Sequence, residues 1–247
     1  EIKLQRIQSW NKDFSEEKLR EMIERRVRIE KIAIKDVKMR TFITEESARN
    51  EMVQHVYDIT YGTIRPGIDS LVIIDDSIVR GTTLRESIIR MLDRLGPKKI
   101  TIVSSAPQIR YPDCYGIDMS KMGDFIAFQA IVALLKKDGK KQVLLDVYAE
   151  CLQAEKSNKL AQRNFVKQIF KPYSVEEVST QIGFMLRPPD VHAEIEVIYQ
   201  SIENLHSACP DNTGDWYFTG DYPTPGGNVV VNKAFMNYME GKDGRAY

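Results

Sequence analysis

Two adjacent carboxylates, Asp75 and Asp76, end the apolar run 71–74 and lead into Ser77-Ile78-Val79-Arg80-Gly81-Thr82-Thr83. Tandem carboxylates accept hydrogen bonds from sugar hydroxyls, or bind Mg²⁺ directly or through water. A helix opening at Thr82 or Thr83 would present unpaired N–H groups and the positive end of its macrodipole, so a phosphate is held there without a lysine. Gly81 removes a Cβ where the backbone must come close to an anion, and Ser77, Thr82 and Thr83 add hydroxyl donors. The stretch is suited to a ligand with a phosphate at one end and hydroxyls at the other. GxxxxGK[ST] is absent, which excludes a Walker loop, and the lack of GxGxxG weakens a dinucleotide reading.

The neighbouring pattern says how these residues are positioned. Residues 71–74 are too apolar for a half-exposed strand and predict a buried parallel strand covered on both faces. Leu84, Ile88, Met91, Leu92 and Leu95 predict a helix over 82–95, closed by Gly96-Pro97, and 99–105 reads as a second buried strand. Strand, helix and strand make a βαβ unit, so the class is α/β and ligands bind beyond the carboxyl ends of the strands. The irregular segment 106–118 leaves the second strand at that same edge.

Upstream, Asp13 and Glu16 resemble a capping box ahead of a helix over about 15–31. Residues 32–43 read as extended, 44–56 as helix and 61–67 as a turn-rich loop. Downstream, two helical stripes are split at Asp138-Gly139, and further helices are expected over 174–186 and 190–206, parted by Arg187-Pro188-Pro189. Residues 215–219 read as extended, 222–227 as a sharp turn, and a last helix lies near 233–239. Tyr111 and Tyr115 read as packing residues, Cys114 as a small buried hydrophobe, and Trp216-Tyr217-Phe218 as core or subunit interface.

The 247 residues are 43% hydrophobic, enough to bury a sizeable core. Lys+Arg and Asp+Glu are both 35, so no global positive field points to nucleic acid or an anionic membrane as a partner. No apolar run approaches the roughly 20 residues that span a bilayer. Cys114, Cys151 and Cys209 form no CxxC pair and predict a reducing, cytoplasmic setting. His55, His192 and His206 show no zinc-site spacing. The charged start without an initiator Met is expected of a processed chain or a fragment.

The wording Asp75-Asp76-Ser77-Ile78-Val79-Arg80-Gly81-Thr82-Thr83 resembles the phosphoribosyl-pyrophosphate (PRPP) loop of type I phosphoribosyltransferases, in the form found in the amidophosphoribosyltransferase family. Arg40-Thr41-Phe42-Ile43 resembles the end of that family's flexible loop, and the segment 106–118 resembles the one that follows the next strand. The resemblance is dense over 38–120 and thin beyond, apart from 218–224. It implies a type I phosphoribosyltransferase-like parallel sheet flanked by helices, incomplete at its N-terminal side, with an added helical region. It divides the chain into 1–120, part of the transferase core with an N-terminal helix, and 121–247, a helical extension returning through 215–240.

The roles implied are as follows. Asp75 and Asp76 contact the ribose hydroxyls and Mg²⁺; Ser77, Ile78, Val79, Arg80, Gly81, Thr82 and Thr83 cradle the 5-phosphate; Arg40 closes over the pyrophosphate, and with Asp75 and Asp76 makes up the catalytic set. The reaction implied converts PRPP and ammonia to 5-phosphoribosylamine and pyrophosphate, opening purine synthesis. Ammonia comes from a glutaminase domain not in this chain, purine nucleotides act as inhibitors, and the assembly is a homo-oligomer.

The sequence departs from the family in places. A Val-Pro-Asp-Ser-Gly-like pyrophosphate segment is absent, Val37 and Met39 replace a tyrosine and a glycine of the flexible loop, and Lys35 or Lys38 supplies its cation. Asp113 and Tyr217 stand where some members carry iron–sulfur ligands, so no cluster is expected. Two other readings keep the loop: a PRPP-binding regulator without catalysis, and a phosphoribosyltransferase acting on a free base.

Overall fold

The computed structural model describes residues 17, 20, 24, 28, 29, 33–35, 57–60, 62–113, 119–211 and 214–244. Two short strands, β1 (Ala33–Lys35) and β2 (Tyr57–Ile59), pair antiparallel. A separate three-stranded parallel sheet follows, in the order β3 (Ser70–Asp75), β4 (Lys99–Ser104), β5 (Glu194–Tyr199). Between β3 and β4 the chain passes through a π-helical stretch, Leu84–Ile88, that runs directly into α1 (Ile89–Asp93). Ile89, Leu92 and Leu95 are buried there, and Gly96 ends the helix at φ +71°, a conformation that costs glycine nothing. The α/β class and the βαβ unit thus stand as the pattern predicts.

The remaining helices are α2 (Ile126–Lys137), α3 (Gln142–Lys156), α4 (Lys167–Phe170), α5 (Val175–Leu186), α6 (Ile202–Ala208), α7 (Trp216–Thr219) and α8 (Pro225–Met239). The capping box of Ser174 and Glu177 starts α5, which packs on β5 and α2. Gly183 permits the close approach, since a Cβ there would lie 3.2 Å from the carbonyl oxygen of Ile195. Asn232 of α8 is fully buried. Its side chain accepts from the amide of Phe165 and donates to the carbonyls of Leu160 and Arg163, tying α8 to the 160–165 loop.

Three expectations are corrected. Residues 190–206 are not one helix: 194–199 is the third strand of the sheet and only 202–208 is helical. The spacing 191, 195, 198, 202 mimics a helix, but Ile195, Val197 and Tyr199 also share one strand face, and the β-branched run favours the strand. Residues 215–219 form a helical turn, because Gly220 at φ +73° donates its amide to the Trp216 carbonyl and closes it. The last helix, expected near 233–239, starts at Pro225 after the Thr224 cap and takes in the end of the expected turn at 222–227.

A fourth correction concerns the strand that carries the carboxylates. Leu71 is buried, but Val72 and Ile74 on the other face are 65% and 76% exposed. Among the described residues the strand is an edge, paired to β4 alone, and no helix covers that face. Ile198 of β5 is exposed on the same side, while Lys99 and Thr101 bind Glu196 there at 3.2 and 3.0 Å. The expected helices over 15–31 and 44–56 lie largely outside the described residues, although 17, 20 and 24 are helical.

Candidate functional site

The sheet register places Asp75, Ser104 and Tyr199 in one row at the carboxyl end of the strands, where an α/β sheet binds ligands. Loop 105–106 runs beside the carboxylates: the amides of Ser105 and Ala106 donate to the carbonyls of Asp75 and Asp76 at 2.9 and 3.0 Å. The side chains are fixed locally, Asp75 Oδ1 accepting from the Asp76 amide at 3.0 Å and Asp76 Oδ1 from the Ser77 amide at 2.7 Å. Partial burial, with Asp76 close by, raises the Asp75 pKa above the ordinary carboxylate value. An oxygen-only pair of this kind suits Mg²⁺, which is held by one or two carboxylates while ligand and water oxygens complete its shell. Among the described residues no group of three or more His, Cys, Asp or Glu could hold a metal, so the pair would depend on those outside oxygens.

Beyond Asp76 the chain dips and rises. Ile78 is buried as an anchor, Arg80 is exposed, and Gly81 turns the backbone at φ +72° into the helix. Among the described residues no carbonyl accepts from the amides of Ile78, Val79, Gly81, Thr82 or Thr83. Amides left open at a helix start can stabilise an anion. The structure therefore brings together residues 75–83 as one strand-end loop. Arg40, the remaining expected catalytic residue, lies outside the described residues. So do Cys114 and Tyr115.

The loop rests on helices that sequence reasoning left without a role. The Ile126 amide, at the start of α2, donates to the Val79 carbonyl at 2.8 Å. A Cβ on Gly81 would come within 2.7 Å of Leu186 Cδ2 and 2.8 Å of Ile126 Cδ1, so α2 and α5 form its floor. The Arg80 guanidinium lies 3.3 Å from the Asp124 carboxylate, just before α2. No spacing rule links positions 44 or 105 residues apart. The only signal available was that Gly81 must have something beneath it.

On the outer side of the same edge, Arg110 is part-buried and donates through Nε and Nη2 to Gln108 Oε1, its plane 5.0 Å from the Phe170 ring. Tyr111 is buried edge-on to Phe170, as a packing residue should be.

A strand end with paired carboxylates, a glycine-turned loop of open amides and a helix start form an arrangement suited to a phosphorylated, hydroxyl-bearing ligand. Known proteins give that class a narrower counterpart. No family model matches the chain. The amidophosphoribosyltransferases of Pasteurella multocida and Haemophilus influenzae are each 51% identical to it over 59 residues, 24% of this chain and 12% of theirs. That of Saccharomyces cerevisiae is 30% identical over 135 residues, 51% of this chain and 26% of its own. The chain thus spans about an eighth to a quarter of the length of these curated relatives. A solved structure, the glutamine PRPP amidotransferase of B. subtilis complexed with ADP and GMP, aligns with 78% of this chain and 32% of its own at 25% identity and a TM-score of 0.43.

Proposed function

We propose that this chain is the phosphoribosyltransferase portion of an amidophosphoribosyltransferase, with a type I phosphoribosyltransferase core. The observation that carries the reading is the loop 75–83: two carboxylates at a strand end, then open amides turned by Gly81 into a helix. The 51% identity to two amidophosphoribosyltransferases over 59 residues supports it.

In this reading the open amides and the hydroxyls of Ser77, Thr82 and Thr83 hold the 5-phosphate of PRPP, and Asp75 and Asp76 accept from the ribose hydroxyls. Mg²⁺, when bound, supplies charge neutralisation on the diphosphate, and Asp75 and Asp76 would hold it. Ammonia attacks the anomeric carbon. The C–N bond forms, the C–O bond to pyrophosphate breaks, and the leaving group takes the bonding pair. The nitrogen then loses a proton to give 5-phosphoribosylamine. Arg40 is assigned by resemblance to the charge that builds on the departing pyrophosphate. Release of the ammonia from glutamine, purine nucleotides as inhibitors, a homo-oligomer and a cytoplasmic setting belong to the same reading. Among the described residues no helix is long and apolar enough to cross a membrane.

Calorimetric titration with Mg²⁺-PRPP tests the assignment directly. Asp75→Asn should weaken binding at least about tenfold, since it removes a charged ligand from a part-buried site. Equal affinity in the two proteins would sink the site.

A further inference from the structure

The three residues at the crest of the loop, Val79, Arg80 and Gly81, all touch one turn of the chain, 124–126. Val79 accepts a backbone bond from Ile126, Arg80 pairs with Asp124, and Gly81 sits against the Ile126 side chain. Of these three contacts the Arg80–Asp124 one is an ion pair between partly exposed side chains. The turn is itself held. Gln129 Nε2 donates to the Gly123 carbonyl at 2.7 Å, and Lys121 binds Asp243, beyond α8, at 2.6 Å.

We propose that Asp124 is a positioning residue for the anion-binding loop, acting through Arg80 to set the direction of the amides of Gly81, Thr82 and Thr83. The effect on ligand binding rests on the PRPP reading above; the effect on the loop does not. Two consequences of removing the carboxylate oppose one another. With the Asp124 charge removed, the Arg80 guanidinium carries more of its charge toward a ligand phosphate, which tightens binding. With that contact weakened the crest is held less firmly, and oriented amides bind an anion better than mobile ones. Arg80 and Asp124 are both substantially exposed, so the pair is a modest contact. Its leverage comes from lying within one residue of the left-handed turn at Gly81. Orientation therefore dominates, and the net change is a loss.

The test uses Asp124→Asn, Asp124→Glu, Arg80→Gln and the double variant Arg80→Gln/Asp124→Asn in the full-length protein. Amide hydrogen exchange at Ile126 and Arg85, whose N–H groups donate to the Val79 and Gly81 carbonyls, should quicken in Asp124→Asn and return toward the wild-type rate in Asp124→Glu. Mg²⁺-PRPP affinity should fall about three- to fivefold in Asp124→Asn. Adding that substitution to Arg80→Gln should change neither measurement further, because the role runs through Arg80. Unchanged exchange, tighter PRPP binding in Asp124→Asn, or a full effect in the Arg80→Gln background each overturns the proposal. If the wild-type protein shows no PRPP binding, the functional reading fails while the exchange measurement still decides this one.

Discussion

Gly81 and Leu186 meet with no room between them: a methyl group added to the glycine would stand 2.7 Å from Leu186 Cδ2. The loop 75–83 and the carboxyl end of α5 therefore behave as one packed unit. At φ +72° an L side chain is also strained, so Gly81→Ala combines overlap with an unfavourable backbone. The expected loss is about 2–4 kcal/mol, read as a lower urea midpoint at unchanged slope. Phosphate-ligand affinity should fall with it. A variant as stable as wild type would show that the loop lifts off its floor at little cost.

Asp75 makes stability and binding pull in opposite directions. Its carboxyl is raised above the ordinary value, chiefly by burial, so the folded state holds its proton more tightly than the unfolded chain. The penalty is absent below the unfolded value near 4, grows as pH rises through the folded value, and is fully present at neutral pH. Asp75→Asn should therefore melt higher than wild type at pH 7 without metal. The gain should vanish below about pH 4. Scanning calorimetry at the two pH values checks the sign.

Acid exposes a different group. Arg65 binds Asp69 through Nε and Nη2 at 3.0 and 2.7 Å and through its backbone amide at 3.0 Å, holding the Asp69 carboxyl down at about 2. Here the stabilisation is fully present above the unfolded value near 4 and is lost as pH falls through about 2. Asp69→Asn should flatten that limb of the acid-unfolding curve. An unchanged curve would mean that Asp69 does not contribute to it.

Asn232 is fully buried and its side chain makes three hydrogen bonds to the backbone of 160–165. Asn232→Ala leaves the Phe165 amide and the Leu160 and Arg163 carbonyls short of a partner beside a small cavity. About 2–4 kcal/mol is expected from desolvation and lost packing together. Chemical denaturation measures it, and a change under about 1 kcal/mol would indicate that water or a shifted backbone replaces the amide.

Residues 71–105 were legible because each local signal there agrees with the next: an apolar run, two acids, a glycine, a helical stripe, a Gly-Pro stop and a second apolar run. The helix breaks at Asp138-Gly139 and Ser174 were legible for the same reason. The strand at 194–199 was not, since four-residue spacing of apolar side chains serves a short strand as well as a helix. The turn at 216–219 was hidden by aromatic residues that favour strands on average, and only Gly220 hinted at closure. The floor beneath Gly81 and the Asp124 contact lie outside any local pattern. They exist because the helices after residue 121 fold back under the loop, which is a fact of packing rather than of sequence neighbourhood.

The uncovered side of β3 has a practical outcome for anyone who makes this protein. Among the described residues β3 pairs on one side alone and bares Val72 and Ile74, which makes it a template on which like strands stack. Lys99 and Glu194, which discourage such stacking, sit at the opposite end of the sheet from Ile74. Aggregation in a preparation of these residues is expected to begin at this strand. A lysine at position 72 or 74, on the face that no described helix covers, is the gatekeeper that should keep it in solution.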